Sequence, residues 1–309
     1  MDSNSEHEHS GGAFTNPIAA KLVRQLKRAS TGKVVNLRDF VTGGAAAEEL
    51  QKQVVSRERL AEFHPAHAAY VYAQNQVSVM SEQITALKDM APFARLVSEA
   101  ENLYAPSGPP ISPLTGSYFT SWAFFDLCAG PANETIGSII IEVGATFGMH
   151  AGLLGLIRSM QDSRMGFYTH EGTEDSLVIL KDVVTGSVSR AICPAGYRGK
   201  KGELWYVRML PPPVGGHCEH VVFTTPYVVL RPGVRDWLGY FSRTFAQDQQ
   251  ERIADYERHM KYGPTRAYWN DFVFEAYVNH RTDVIYLAGL PDIPESRPHS
   301  KANGWGLGQ

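Results

Sequence analysis

Apolar residues recur at helical spacing through the first hundred positions of the chain. Asn16 ahead of Pro17, followed by Ile18, Leu22 and Leu26, predicts a helix with a basic outer face. A second helical stretch is expected from Ala45 to Arg59, where Leu50 and Val54 share a side. A third begins at Pro65 and extends to Ala100, with Tyr70, Val71, Val77, Ile84, Leu87 and Leu96 as its buried positions. The segment APSGPPISPLTG, residues 105–116, interrupts both helix and strand and reads as a linker. Directly after it, YFTSWAFFDLC carries too much apolar surface to stand in water and is core. Helices over 135–147 and 151–160 follow.

From Met165 the period changes. SLVILKDVV, GELWYVRML and HVVFTTPYVVL are rich in β-branched and aromatic residues, and Gly- and Pro-bearing turns separate them. They predict an antiparallel sheet over about 165–230, open or closed into a small barrel. From Arg235 the helical period returns and runs through the aromatic stretch YWNDFVFEAYV. The fold class is therefore α+β: a helical N-terminal part, a central antiparallel β unit and C-terminal helices. The chain divides into a disordered tail 1–12, a helical region 13–104, the linker 105–116, an α+β domain 117–290 and an irregular tail 291–309.

Composition narrows the function classes. With 43% hydrophobic and 20% charged residues the chain can build a sizeable core and is not a disordered one. A net charge of −3, from 29 basic and 32 acidic residues, leaves nucleic-acid or lipid attraction to local patches alone. Cys128, Cys193 and Cys218 are too few and too scattered for a disulfide framework, which favours reduced thiols in a cytoplasm. No apolar run approaches the roughly 20 residues of a membrane helix, and MDSNSEHEHSGG lacks the basic and apolar regions of a signal peptide. The expectation is a cytoplasmic protein with no membrane partner.

Four groups of residues carry candidate chemistry. His217-Cys218-Glu219-His220 on a strand would put Cys218 and His220 on one side, with Cys193 approaching from a neighbouring strand, a ligand set zinc accepts. The plainer reading is a turn and strand with one buried thiol and no cofactor. His64 and His67 lack the HExxH spacing. Asp126, Glu134, Glu142 and Asp182 lie nearest apolar sequence, where desolvation raises a carboxyl pKa, although Asp182 has a simple role beside the Thr185-Gly186 turn. Lys21, Arg24, Lys27, Arg28 and Lys33 form one basic cluster. Arg198, Lys200 and Lys201 near Trp205 and Tyr206 form another, and basic groups beside exposed aromatics can hold and stack nucleic acid. Tyr256, Tyr262, Tyr268, Trp269, Phe272, Phe274 and Tyr277 are dense enough either to complete the core or, through Tyr268, Trp269 and Tyr277, to dock a partner.

No nucleophile elbow or phosphate loop occurs, and GATFGMHAG lacks the dinucleotide-binding glycine pattern, so its glycines point to close helix packing. The leading expectation is a non-enzymatic protein-interaction module that binds another protein or its own copy. Nucleic-acid association and a zinc-dependent hydrolase are the alternatives.

The order of features from Tyr118 to Tyr240 carries a resemblance. An aromatic block ends in Phe125-Asp126, a helix pair follows, then Ser163 to Tyr168, LKDVVTG at Leu180 to Gly186, and GELWYVRMLP at Gly202 to Pro211. This stretch resembles an uncharacterised group of bacterial proteins often associated with a C-terminal SEC-C zinc-binding motif. The resemblance implies a fold and a bacterial origin and names no reaction. No cysteine follows Cys218, so the SEC-C motif and its zinc are not carried over.

Overall fold

Helix formation in the N-terminal part follows the expected amphipathic spacing. α1 (Pro17–Ser30) buries Ala19 and Leu22 and leaves Lys21, Arg24, Lys27 and Arg28 exposed on its outer side. The computed structural model describes residues 17–30, 55–85, 87–105, 112–214, 218–246 and 248–291. The tail 1–12, most of the expected 45–59 helix, the 106–111 part of the linker, Lys33, His217 and residues 292–309 lie outside the described residues. The continuous helix expected from Pro65 to Ala100 is two: α2 (Pro65–Thr85) and α3 (Ala91–Tyr104). A 3-10 turn at Lys88–Met90 precedes α3. Pro92 sits in the first turn of α3, where its missing N–H costs nothing, and cannot lie inside a longer helix without breaking the ladder.

α4 (Gly116–Phe125), α5 (Ile136–Thr146) and α6 (Ala151–Asp162) follow. Thr115 caps α4 by accepting from the Tyr118 amide, and Thr135 and Ser138 form a reciprocal box at the start of α5. The block after the linker is core as expected, with Tyr118, Trp122, Phe125 and Leu127 buried. The expected helix packing of the glycine run holds at Gly144, where an added Cβ would lie 2.6 Å from Met149 Cε.

Five strands close into a barrel: β1 (Met165–Glu174), β2 (Leu177–Asp182), β3 (Val188–Ile192), β4 (Leu204–Leu210) and β5 (His220–Val222). The ring order is β1-β2-β3-β5-β4 and back to β1. Four junctions are antiparallel, and β3 runs parallel to β5. The exception is geometric, because an odd-membered closed ring cannot alternate direction at every step.

β6 (Tyr227–Arg231) pairs with the first half of β4, and β8 (Ile285–Ala288) and β7 (Tyr277–His280) extend the sheet from there. The sheet therefore runs past 230, and the helical reading of YWNDFVFEAYV ends at Ala276. α7 (Val234–Thr244), α8 (Gln249–Tyr262) and α9 (Tyr268–Ala276) lie between β6 and β7.

Directly paired residues share a face, so the register defines the barrel interior. Tyr168 faces Asp182 and Trp205, Leu180 faces Ser189, and Ala191 faces Val178 and His220. With Val207 and Val222 these residues fill the lumen. The outward face of β1 and β4 presents Phe167 and Tyr206 to α7 and α9, with Phe167 3.9 Å from the Trp237 ring centroid. Leu210 and Val221, also on the outer face, pack into a second core shared with α1, α2, α5 and α6.

Candidate functional site

At one end of the barrel Trp205 packs at a tilt against His170 and Tyr197, ring centroids 5.1 and 5.3 Å apart. The other end opens into a cleft of about 400 Å³. The starts of β1, β3 and β5 and the ends of β2 and β4 converge there, bringing Tyr168, Ser189, His220, Asp182 and Met209 from the lumen to the rim. The C-terminal end of α6 adds Ser159, Asp162 and Arg164, and α8 adds Glu257.

Arg164 organises the floor. Its Nη2 lies 3.3 Å from Asp182 Oδ2 and 3.9 Å from Glu257 Oε1, and its guanidinium sits 4.5 Å from the Tyr256 ring centroid. Gly166 leaves the space this needs, since a Cβ there would lie 2.6 Å from Arg164 Nη1 and 2.9 Å from the Tyr168 ring. Asp182 also accepts at Oδ1 from the amides of Val184 and Thr185, both at 2.9 Å, so it fastens the turn as its position in sequence suggested. Burial pushes the Tyr168 phenol up to about 12, partly offset by Arg164. Burial lowers the His220 pKa against a smaller opposing effect of the Arg190 backbone, so the imidazole is neutral at neutral pH; its Nδ1 is buried without a hydrogen-bond partner.

Behind the cleft, outside the barrel wall, lies a buried ion network. Arg208 donates through Nη2 to Asp126 and through Nη1 to the Ser163 carbonyl at 3.2 Å and hydroxyl at 3.0 Å. Lys261 Nζ stands 3.3 Å from Asp126 Oδ1 and donates to the Ser163 carbonyl at 2.9 Å. Burial lowers the Lys261 pKa, and Asp126 is the main influence raising it. The network joins the ends of α4 and α6 to β4 and α8.

Three of the four acid–base candidates are thus occupied in structural roles. Asp126 neutralises Arg208, Asp182 holds a turn, and Glu134 caps α1 by accepting from the amides of Ile18 and Ala19, both at 2.9 Å. Cys193 stands just past the end of β3, whose Ala191 pairs with His220 at the start of β5. Among the described residues, however, no group of three or more His, Cys, Asp or Glu side chains is arranged to hold a metal ion, and Cys218 is exposed outside the lumen-facing set.

The basic residues Lys200 and Lys201 are exposed, but Trp205 and Tyr206 beside them are fully buried, which overturns the exposed stacking platform expected there. Lys21 lies 3.8 Å from Asp89. In the C-terminal aromatic series, Tyr256, Trp269 and Phe272 belong to the core; Tyr268 and Tyr277 are half-buried. Trp269 is 5% exposed and donates to the His259 carbonyl at 2.7 Å, so it is not presented to a partner.

Sequence reasoning missed Arg164, Asp162 and Glu257 as cleft residues. Arg164 and Gly166 lie inside the Ser163–Tyr168 motif, where a glycine at the start of a strand was the available signal. No helix among the described residues is long and apolar enough to cross a membrane. No protein-family model, curated protein or solved structure matches the chain, and the resemblance to SEC-C-associated proteins rests on the quoted motifs alone.

Proposed function

We propose that this chain is a non-enzymatic protein-interaction module whose docking site is the barrel mouth. The observation that supports this most is the commitment of Asp182 and Arg164, the charged pair on the cleft floor, to structure. Asp182 holds both a turn and Arg164, and Arg164 lies between two carboxylates and over a phenol ring. A catalytic acid or base needs a proton position open to substrate. A binding cleft needs only shape and a few fixed polar groups.

The test is peptide display against the whole chain, with Ser187→Trp as a counter-screen. Ser187 is exposed on the rim, so the indole blocks the entrance without entering the core. Peptides that bind the parent chain and lose binding to S187W support the reading. Peptides that bind both forms equally, or no enrichment at all, refute it.

A second reading is favoured by α1, whose Lys21, Arg24, Lys27 and Arg28 are all exposed. Contacts from these four groups to duplex DNA would give a log-log salt slope of roughly −3 to −4, flattened by alanine at all four. The net negative charge of the chain leads us to expect no such binding at physiological salt.

A further inference from the structure

We infer that the barrel mouth receives a cationic side chain, a lysine ammonium or an arginine guanidinium, carried by a basic segment of the partner protein. This deepens the interaction-module reading and depends on it. The ionised groups lining the cleft are the carboxylates of Asp162, Asp182 and Glu257 and the single guanidinium of Arg164, an excess of two negative charges. The His220 imidazole adds none while neutral.

These charges are not equally spoken for. Asp182 is the nearer carboxylate to Arg164, at 3.3 Å, and is itself buried. Glu257 is 3.9 Å away with its side chain 57% exposed, and Asp162 is exposed on the α6 end. An entering charge therefore meets Glu257 and Asp162 at the rim, with Met209 and Pro211 as apolar wall that concentrates their field.

An anion meets the same excess with the wrong sign. The cation in the lining, Arg164, is held against Asp182 and laid over the Tyr256 ring, and Lys261 behind Ser163 is turned to the Asp126 carboxylate. The cleft volume of about 400 Å³ lies within the range of small-ligand pockets and exceeds the needs of one long side chain.

The experiment is amide NMR of the full chain titrated with blocked tripeptides that differ only at the centre: lysine, arginine, norleucine or glutamate. Lysine and arginine peptides are expected to shift the amides of Ser187, Ser189 and His220, and norleucine and glutamate peptides to leave them in place. Asp162→Asn and Glu257→Gln, both at exposed positions, should each weaken the basic peptides about two- to fivefold, as expected for partly exposed charge pairs. Equal or stronger shifts from norleucine or glutamate would overturn the cationic occupant and leave the docking site standing. Cleft amides that respond to none of the four would overturn the occupant, and with display that also yields no mouth-dependent peptide, the module reading falls as well. n-Butylammonium run alongside separates a free-amine site from a peptide site: binding stronger than that of the lysine peptide counts against a protein partner.

Discussion

Asp126→Asn should be the most destabilising single change in the buried ion network. The Arg208, Asp126 and Lys261 side chains are 2%, 5% and 11% exposed, so all three charges are largely withdrawn from water. One carboxylate faces two cations, and neutralising it leaves both uncompensated. Breaking a buried pair by removing one partner costs about 3–5 kcal/mol, which is a third or more of a typical domain's stability. Arg208→Met should cost less, about 2–3 kcal/mol, because Lys261 still neutralises Asp126 and still donates to the Ser163 carbonyl, while the Ser163 hydroxyl loses its donor.

The double variant should fall short of the sum by about 1–3 kcal/mol, since the second change removes a charge that the first left stranded. There is also a pH signature. Without Asp126, Lys261 sheds its proton in the folded state more readily than in the unfolded chain. Between those two pKa values the unfolded state binds more protons, so the stability of Asp126→Asn should rise with pH and the gap to the parent chain should narrow as pH climbs toward the ordinary lysine value. Urea unfolding followed by tryptophan fluorescence measures all of this. A loss below about 1 kcal/mol for Asp126→Asn, or strict additivity with Arg208→Met, would refute the reasoning.

Glu134→Ala should loosen α1 and cost about 2–3 kcal/mol by stranding two helix-start amides, whereas Glu134→Gln, which keeps an acceptor, should cost about 1 kcal/mol; equal losses by urea unfolding would count against the cap. Burial holds His67 and His259 at about 4 against an ordinary value near 6.5, so their neutral forms favour the fold. That stability is full above about pH 6.5 and is lost as pH falls toward 4, by about 1–2 kcal/mol for each after allowance for partial exposure. His259→Gln should flatten the corresponding slope of urea midpoint against pH, and an unchanged slope would argue against His259 as its source. All three cysteines are free, and burial pushes Cys128 and Cys193 up to about 11 while Cys218 is exposed. Disulfide-exchange titration of the folded protein should find one fast thiol and two at least about 100-fold slower, becoming three fast thiols in denaturant. Two fast thiols in the folded state would be inconsistent with that burial.

The β unit was legible because β-branched and aromatic runs and strong turn signals agree over 165–230. The β7–β8 hairpin was not, because Tyr277-Val278-Asn279-His280 is an edge strand with an exposed face and no alternation to read. Barrel closure is equally silent in sequence, since β3 and β5 meet across an intervening strand. The aromatic series at 256–277 suits core more than docking by its density, and the contacts of Trp269 with Phe167 and Tyr206 on the outer side of the barrel wall put that residue in the core. Asp182 could be placed from its neighbours because its partners are two and three residues away. The cleft could not, because Arg164 and Glu257 are far apart in the chain and long-range convergence leaves no local trace.

The barrel is fastened like a bracelet, with β5 as its clasp. Three residues, His220 to Val222, join β3 on one side through Ala191 and Ile192 and β4 on the other through Met209 and Leu210. The β1–β2 and β1–β4 ladders are far longer and do not depend on that strand. Releasing β5 breaks few backbone hydrogen bonds, so what holds the clasp shut is the burial of Val221 on one side and Val222 on the other. His220 rides on the clasp and at the rim together, so the entrance is as wide as β5 allows. Amides of Val221 and Val222, on the shortest strand of the ring, should exchange with solvent before those of Phe167 and Tyr206 in its longest ladders.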